Sequence, residues 1–288
     1  VPTCSEPSPI PSESFGPSAP PSEPPPASPP PVTFPAYPPP EPLPAMPSAP
    51  VNPAGELADR AADLHLQPGQ VLYLQSAKGR VDTCTGSRSD WLVEELWIPA
   101  DRSGRWLNRQ SSPENGPEYH DEQAEGGRFE PIPMPSRWFV TRGYPVDLPP
   151  DPAALYEILR TEVDPHLSPI TGVVDTSAQR AVGKLFLLLS DRTASVPADL
   201  RAALLRTLGY LPGVTVTHGA TTTDGRPAVA LAGEYEATRT EILLDPVTVR
   251  IVEERRTSLR EFNGYEPGRI IHSDLRTEAI VAELGQRP

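Results

Sequence analysis

Apolar and polar positions change their period along the chain, and the changes mark its elements. In residues 55–66, "GELADRAADLHL", Leu57, Ala61 and Leu64 share one helical face, and Pro68 with Gly69 ends the run. From there the period drops to two. "QVLYLQSAKGRV" sets Val71, Tyr73 and Gln75 against Leu72 and Leu74, a strand rich in β-formers. "DWLVEELWIPADRSGRWLNRQ" predicts a hairpin in which Trp91, Val93 and Glu95 alternate with Leu92, Glu94 and Leu96 and the chain turns at Asp101–Gly104. Residues 111–136 are polar, rich in Gly, Pro and Glu, and without a period, which predicts a long loop. "RWFVTR" at 137–142 fits a further short strand.

Helical spacing then takes over. Asp151 followed by Pro152 is an N-cap with proline at the first helical position, and Leu155, Ile158 and Leu159 form the stripe behind it. Ala178, Val182, Leu185, Phe186 and Leu189 make a second stripe, and Leu200, Ala203, Leu204 and Leu208 a third, which Gly209 closes.

Strands resume after residue 213. Asp224–Gly225 lies between two runs of β-formers and predicts a hairpin with a type I′ turn. "EILLDPVTVRIVEERR" holds Glu241, Asp245, Glu253 and Glu254 close to arginines, a composition shared by catalytic carboxylate pairs and by solvated strand faces. Its alternation favours a hairpin. Asp245 and Pro246 form the turn, the Asp245 carboxylate bonding backbone two residues on. Strict alternation puts Glu253 with Val249 and Ile251 on the buried face, where its charge needs a partner. Glu254 falls with Arg250, Val252 and Arg256 on a mixed, partly solvated face. "GRIIHSDLRTEAIVAEL" predicts a last strand with a helical end.

The order is helix, strands, helices, strands. Hairpin links imply an antiparallel sheet, and helices grouped between two strand sets imply an α+β fold with the helices covering one face.

Composition divides the chain. About half of its 41 prolines precede residue 54, and no Lys or Arg occurs before Arg60. Residues 1–53 lack the apolar content that offsets ordering entropy and are expected to form a disordered Pro-rich linker or tether. Residues 54–288 are expected to fold as one domain. The net charge of −13 opposes nucleic-acid binding, which needs a basic surface. Lysine is limited to Lys78 and Lys184 while arginine is plentiful, the codon skew of a GC-rich genome. No apolar run approaches the roughly 20 residues that span a bilayer. A proline-rich leader ahead of a folded domain is the pattern of a tether, so an anchor or signal upstream of Val1 and an extracytoplasmic location are expected.

Candidate chemistry is sparse. The sequence has no GxxxxGK[ST], no GxGxxG after a strand and no GxSxG, and no cofactor or metal is expected. His65, His120, His166, His218 and His272 are scattered, and "HDE" at 120–122 sits in the acidic loop. Cys4, in "VPTC", is a candidate lipid-attachment site; a disulfide to Cys84 and two free thiols are the alternatives. Trp91, Trp97, Trp106 and Trp138 fit strand-face core positions first and the wall of an apolar cleft second. The candidate cleft residues are Trp91, Leu96, Leu185 and Leu189. The reading is of a non-enzymatic domain whose partner is an envelope protein or an apolar ligand such as a lipid or lipopeptide.

Several strings together carry a resemblance: "LADRAADLHLQPGQVLYLQS", "EELWIPADRSGRWL", "LPPDPAALYEILR", "VPADLRAALLRTLGYLPGVTVTHGATTTDGRPAVAL", "RTEILLDPVTVRIVEERRT" and the closing "GQRP". Over about residues 55–288 the chain resembles a family of uncharacterised actinobacterial membrane-anchored proteins, often encoded beside extracytoplasmic-function sigma factors. The Pro-rich leader departs from that family's pattern. The resemblance implies an envelope-tethered sensor or regulatory domain. A looser similarity is to the lipoprotein-carrier (LolA/LppX-like) architecture, a curved antiparallel sheet packed on a central group of helices with an apolar cleft between them. It is an analogy of fold and brings no site residues with it.

Overall fold

The computed structural model describes residues 41–81, 88–113, 119–129, 148–162, 175–190, 196–261 and 265–288. Nine strands form one open antiparallel sheet: β1 (Val71–Val81), β2 (Arg88–Pro99), β3 (Arg105–Ser111), β4 (Tyr119–Glu125), β5 (Thr215–Thr221), β6 (Pro227–Tyr235), β7 (Thr238–Leu244), β8 (Ile251–Ser258) and β9 (Ile270–Val281). Their spatial order is β4-β3-β2-β1-β9-β8-β7-β6-β5. Two meanders thus share a seam, and the last strand lies beside the first along Val71↔Val281 through Gly79↔Ser273. The helices α1 (Pro152–Glu162), α2 (Ser177–Leu189) and α3 (Ala198–Leu208) fall between the meanders in sequence, and a 3-10 helix, Pro53–Arg60, precedes the sheet. This is the expected α+β architecture. The final strand runs its full length as a central strand, with no helical end.

The helices cover one face because their stripes match it. Leu155, Leu159, Leu185, Leu204 and Leu208 are fully buried and join Leu231 and Ile242 of the sheet in the main core. Truncating one such leucine to alanine costs about 2–5 kcal/mol. Glycine lets α2 approach closely: a Cβ on Gly233 of β6 would stand 2.5 Å from Val182 Cγ1. Leu43 lies in the same core at 2% exposure, and Ser177 Oγ donates to the Glu41 carbonyl. Residues read from composition as linker therefore contribute to packing.

Local signals act as expected at several ends. Ala154 N donates to Asp151 Oδ1 at 2.7 Å, and Thr176 with Gln179 closes a capping box at α2. Gly209 caps α3 at φ −58°, so its glycine serves close approach and not a left-handed bend. Val51 N donates to its carbonyl at 2.7 Å, and an added Cβ would lie 3.4 Å from Gly55 N.

Four further expectations are corrected. The helix expected over 55–66 is a 3-10 helix that ends at Arg60, and the chain then crosses open ground as a strap, residues 61–67. The expected loop over 111–136 contains β4, an edge strand paired with β3 from Arg105↔Glu125 to Ser111↔Tyr119. An edge strand solvated on both faces carries no apolar period. The Asp224–Gly225 turn is not type I′, since only Gly225 has positive φ (+85°), in a five-residue connection. The turn with two left-handed central residues is Glu236–Ala237, at φ 51° and 60°.

The fourth concerns Glu253. A bulge at Leu243/Leu244 breaks the alternation, so Ile251 and Glu254 pair with Leu244 and Ile242 on the helix face while Glu253 pairs with Leu243 on the outer face. Glu253 is fully buried there, accepting from Ser273 Oγ at 2.6 Å and Thr223 N at 2.8 Å. Glu254 is buried too and pairs with Arg256 at 2.9 Å. Burial works against the Arg256 charge, but Glu254, Tyr235 and Glu236 together more than offset it and hold the guanidinium above its usual pKa. These acids fasten the sheet. The expected strand at 137–142, Trp138, His166, Cys4 and Cys84 lie outside the described residues.

Candidate ligand-binding cleft

Between the helix layer and the centre of the sheet lies a cavity of about 100 Å³. Its floor is the inner face of β1 and β2, with Leu72, Leu74 and Leu96. Leu189 at the end of α2 and Leu205 of α3 form the roof, and the β7–β8 turn closes one side with Leu244, Val249 and Ile251. The remaining side is the strap. Leu64 and Leu66 turn inward against Leu72, Leu96, Ile98 and Trp106, while His65 between them is exposed.

Few bonds hold the strap. Arg201 of α3, only 18% exposed in its side chain, pairs with Asp63 at 2.9 Å and donates to the Ala62 carbonyl at 3.0 Å. It also donates to Val196 O at 2.7 Å. Ala198 N donates to Asp63 Oδ2 at 3.1 Å. At the far end Gly69, at φ +85°, makes the turn into β1.

One end of the cavity is polar. Arg276 donates to the Ser190 carbonyl at 2.5 Å and to Asp274 Oδ2 at 3.0 Å, joining the C-terminus of α2 to the sheet. Ser76 Oγ donates to Asp274 Oδ1 at 2.5 Å, and Glu94 accepts from Gln110 at 3.2 Å. Arg250 pairs with Glu278 beside the turn. Four arginines (102, 201, 250 and 276) and three carboxylates (63, 94 and 278) thus line a cavity with an apolar body. An apolar cavity of 150 Å³ admits benzene, while pockets that enclose drug-sized ligands measure roughly 300–1,000 Å³. The space fits one aliphatic group.

Of the residues singled out from sequence, Leu96 and Leu189 line this cavity. Leu185 lies one helical turn from Leu189 in the fully buried core. Trp91 stands at the other end of β2, its ring 5.8 Å from His272 with Arg80 over it at 5.4 Å. Trp97 and Trp106 are buried on opposite faces, since Trp97 pairs with Leu107. The strap, Arg201 and Arg276 were missed, because their partners lie far away in sequence and leave no local period. His65 lies in the strap, and His120, His218 and His272 lie on three different strands, β4, β5 and β9. Among the described residues no group of three or more His, Cys, Asp or Glu is placed to hold a metal ion, and no helix is long and apolar enough to cross a membrane.

No family model matches the chain, and no curated protein does. Two chains of solved structures resemble it. One is from the complex of MucA and MucB of Pseudomonas aeruginosa, with a TM-score of 0.33 and 13% identity over 82% of this chain and 58% of that chain. The other is from MucB in complex with MucA(peri), with a TM-score of 0.32 and 12% identity over 81% of this chain and 55% of that one. The chain thus spans little more than half the length of the chains it resembles.

Proposed function

We propose that this is a non-enzymatic, extracytoplasmic sensor or regulatory domain, tethered to the envelope, whose input is an apolar group held in the cleft between sheet and helices. The observation that carries the reading is the cavity itself: an apolar body at the centre of the fold, walled on one side by a strap and not by regular structure. A domain built only for stability fills such a space, since interiors pack to crystal-like density. The Pro-rich leader supports the tether, and the resemblance to membrane-anchored proteins encoded beside sigma factors supports a role in envelope signalling through a protein partner.

The binding claim is tested by titrating the chain with 1-anilinonaphthalene-8-sulfonate, a probe that brightens in apolar surroundings. One saturable site is expected, abolished by Leu74→Trp, which fills the cleft floor, with the fold retained by circular dichroism. No saturable site, or a site unchanged in Leu74→Trp, overturns the reading. Fractionation of the full-length protein tests the location: recovery in the cytosol contradicts it.

A further inference from the structure

The cleft's charges point to the kind of apolar ligand it takes; this deepens the proposed function and rests on it. In a chain of net charge −13, the cavity is lined by one more arginine than carboxylates. One of those carboxylates, Asp63, belongs to the strap and is 49% exposed in its side chain, whereas its partner Arg201 is 18% exposed and fixed on α3. The pair is therefore unequal. The arginine is part of the wall, and the acid is carried on a segment held by a few polar contacts and two half-buried leucines.

The geometry points to a single-chain carboxylate amphiphile, of the fatty-acid class, whose head group takes the place of Asp63 on Arg201 as the strap lifts and whose alkyl chain follows Leu64 and Leu66 out of the cleft. Three observations converge on this. Guanidinium is matched by a carboxylate, and the resident Asp63 already marks that position. The chain would run over Leu72, Leu74, Leu96 and Leu205, which the strap leucines now partly cover. The space of about 100 Å³ has room for one aliphatic group and not for the paired chains of a phospholipid, and a long single chain is accommodated only as the strap moves aside. With Asp63 displaced, Arg201 loses its carboxylate partner, and an anionic head supplies another.

Isothermal titration with decanoate and with decanol at neutral pH tests this. A charge-assisted bond is worth roughly 1.5–3 kcal/mol, so decanoate is expected to bind about tenfold or more tightly than decanol. Arg201→Gln is expected to erase that preference, the ratio of the two affinities falling to about one. Arg201→Lys, which keeps the charge and loses the fork, is expected to retain part of it and covers the case in which Arg201→Gln does not fold. Asp63→Asn is expected to tighten decanoate several-fold by removing the competing carboxylate. Equal affinities for decanoate and decanol in the unmodified chain, or a preference that survives Arg201→Gln, overturn the inference and leave the cleft reading standing. Failure of both ligands to bind overturns the cleft reading itself.

Discussion

Arg287 reaches back across the outer face of the sheet and sets Nε and Nη2 each 2.6 Å from the two carboxylate oxygens of Glu95. Glu95 is 1% exposed and also accepts from the Tyr73 hydroxyl at 2.7 Å. Beside it, Trp97 Nε1 donates to the Gln286 carbonyl at 2.5 Å. Burial first, then the Glu95 bond, raises the pKa of Tyr73; Glu95 likewise raises that of Arg287. The residues after β9 thus lock over the aromatic cluster of β1 and β2. Breaking a buried ion pair costs roughly 3–5 kcal/mol, reduced here because the Arg287 side chain is 49% exposed. Arg287→Ala is expected to lower unfolding free energy by about 1–3 kcal/mol in urea. Adding Glu95→Gln is expected to return part of that loss, and strict additivity of the two changes would contradict the pairing.

Asp175 holds the strained turn between β6 and β7. Both of its oxygens accept from Glu236 N at 3.0 Å, and Glu236 and Ala237 are the left-handed pair. Burial raises the Asp175 carboxyl above its ordinary 3.8, against the opposing pull of that N–H and of Arg180. The native state therefore binds the proton more readily than the unfolded chain. Stability falls as pH rises from the ordinary value through the raised one, and is level above it. Asp175→Asn keeps an acceptor and removes the charge, so its stability relative to the unmodified chain is expected to rise through that window and to be level above it, by pH-dependent thermal melting. Replacing the turn by Glu236→Asn with Ala237→Gly, the pair such turns favour, is expected to add about 1–2 kcal/mol.

Asp245 behaves oppositely. Its Oδ1 accepts from Thr248 N at 2.7 Å, Thr248 Oγ1 at 2.9 Å and Val247 N at 3.0 Å, and the Thr248 backbone bond leads in holding its pKa below the usual carboxylate value. That stabilisation is present above the ordinary pKa and lost as pH falls through the lowered one. Asp245→Ala is expected to cost about 0.5–2 kcal/mol at pH 7, the size of a lost side-chain cap. The difference from the unmodified chain should shrink in strong acid; a gap that stays constant would contradict the assignment.

The Tyr156 hydroxyl of α1 is buried and has no hydrogen-bond partner among the described residues, and burial raises its pKa. A buried unsatisfied hydroxyl carries a desolvation cost of about 1–3 kcal/mol. Tyr156→Phe should therefore leave stability unchanged or raise it, as read by the urea midpoint; a marked loss would show that the hydroxyl has a role in the fold.

How much was legible in sequence depended on how local the cause was. The Asp245–Pro246 turn, the Asp151 cap and the leucine stripes of α1 to α3 act within a few residues, and periodicity found them. The bulge at Leu243/Leu244 leaves no such mark, so Glu253 was placed with Ile251 when it faces the other way. β4 escaped because its side chains meet solvent on both faces. Leu64 keeps helical spacing from Leu57, yet the helix stops at Arg60 and Leu64 is drawn to the sheet instead. In the cleft, Leu96 and Leu189 stood out as apolar positions on a strand and a helix. Arg201 and Asp63 are 138 residues apart (201 − 63) and meet only once the fold is made.

The central claim is that an apolar ligand enters beneath the strap. Methyl NMR of the leucines during titration with decanoate tests it most directly. Saturable shifts confined to Leu64, Leu66, Leu74, Leu189 and Leu205 are expected. Shifts confined to Leu107 on the outer face, or none at saturating decanoate, would contradict it.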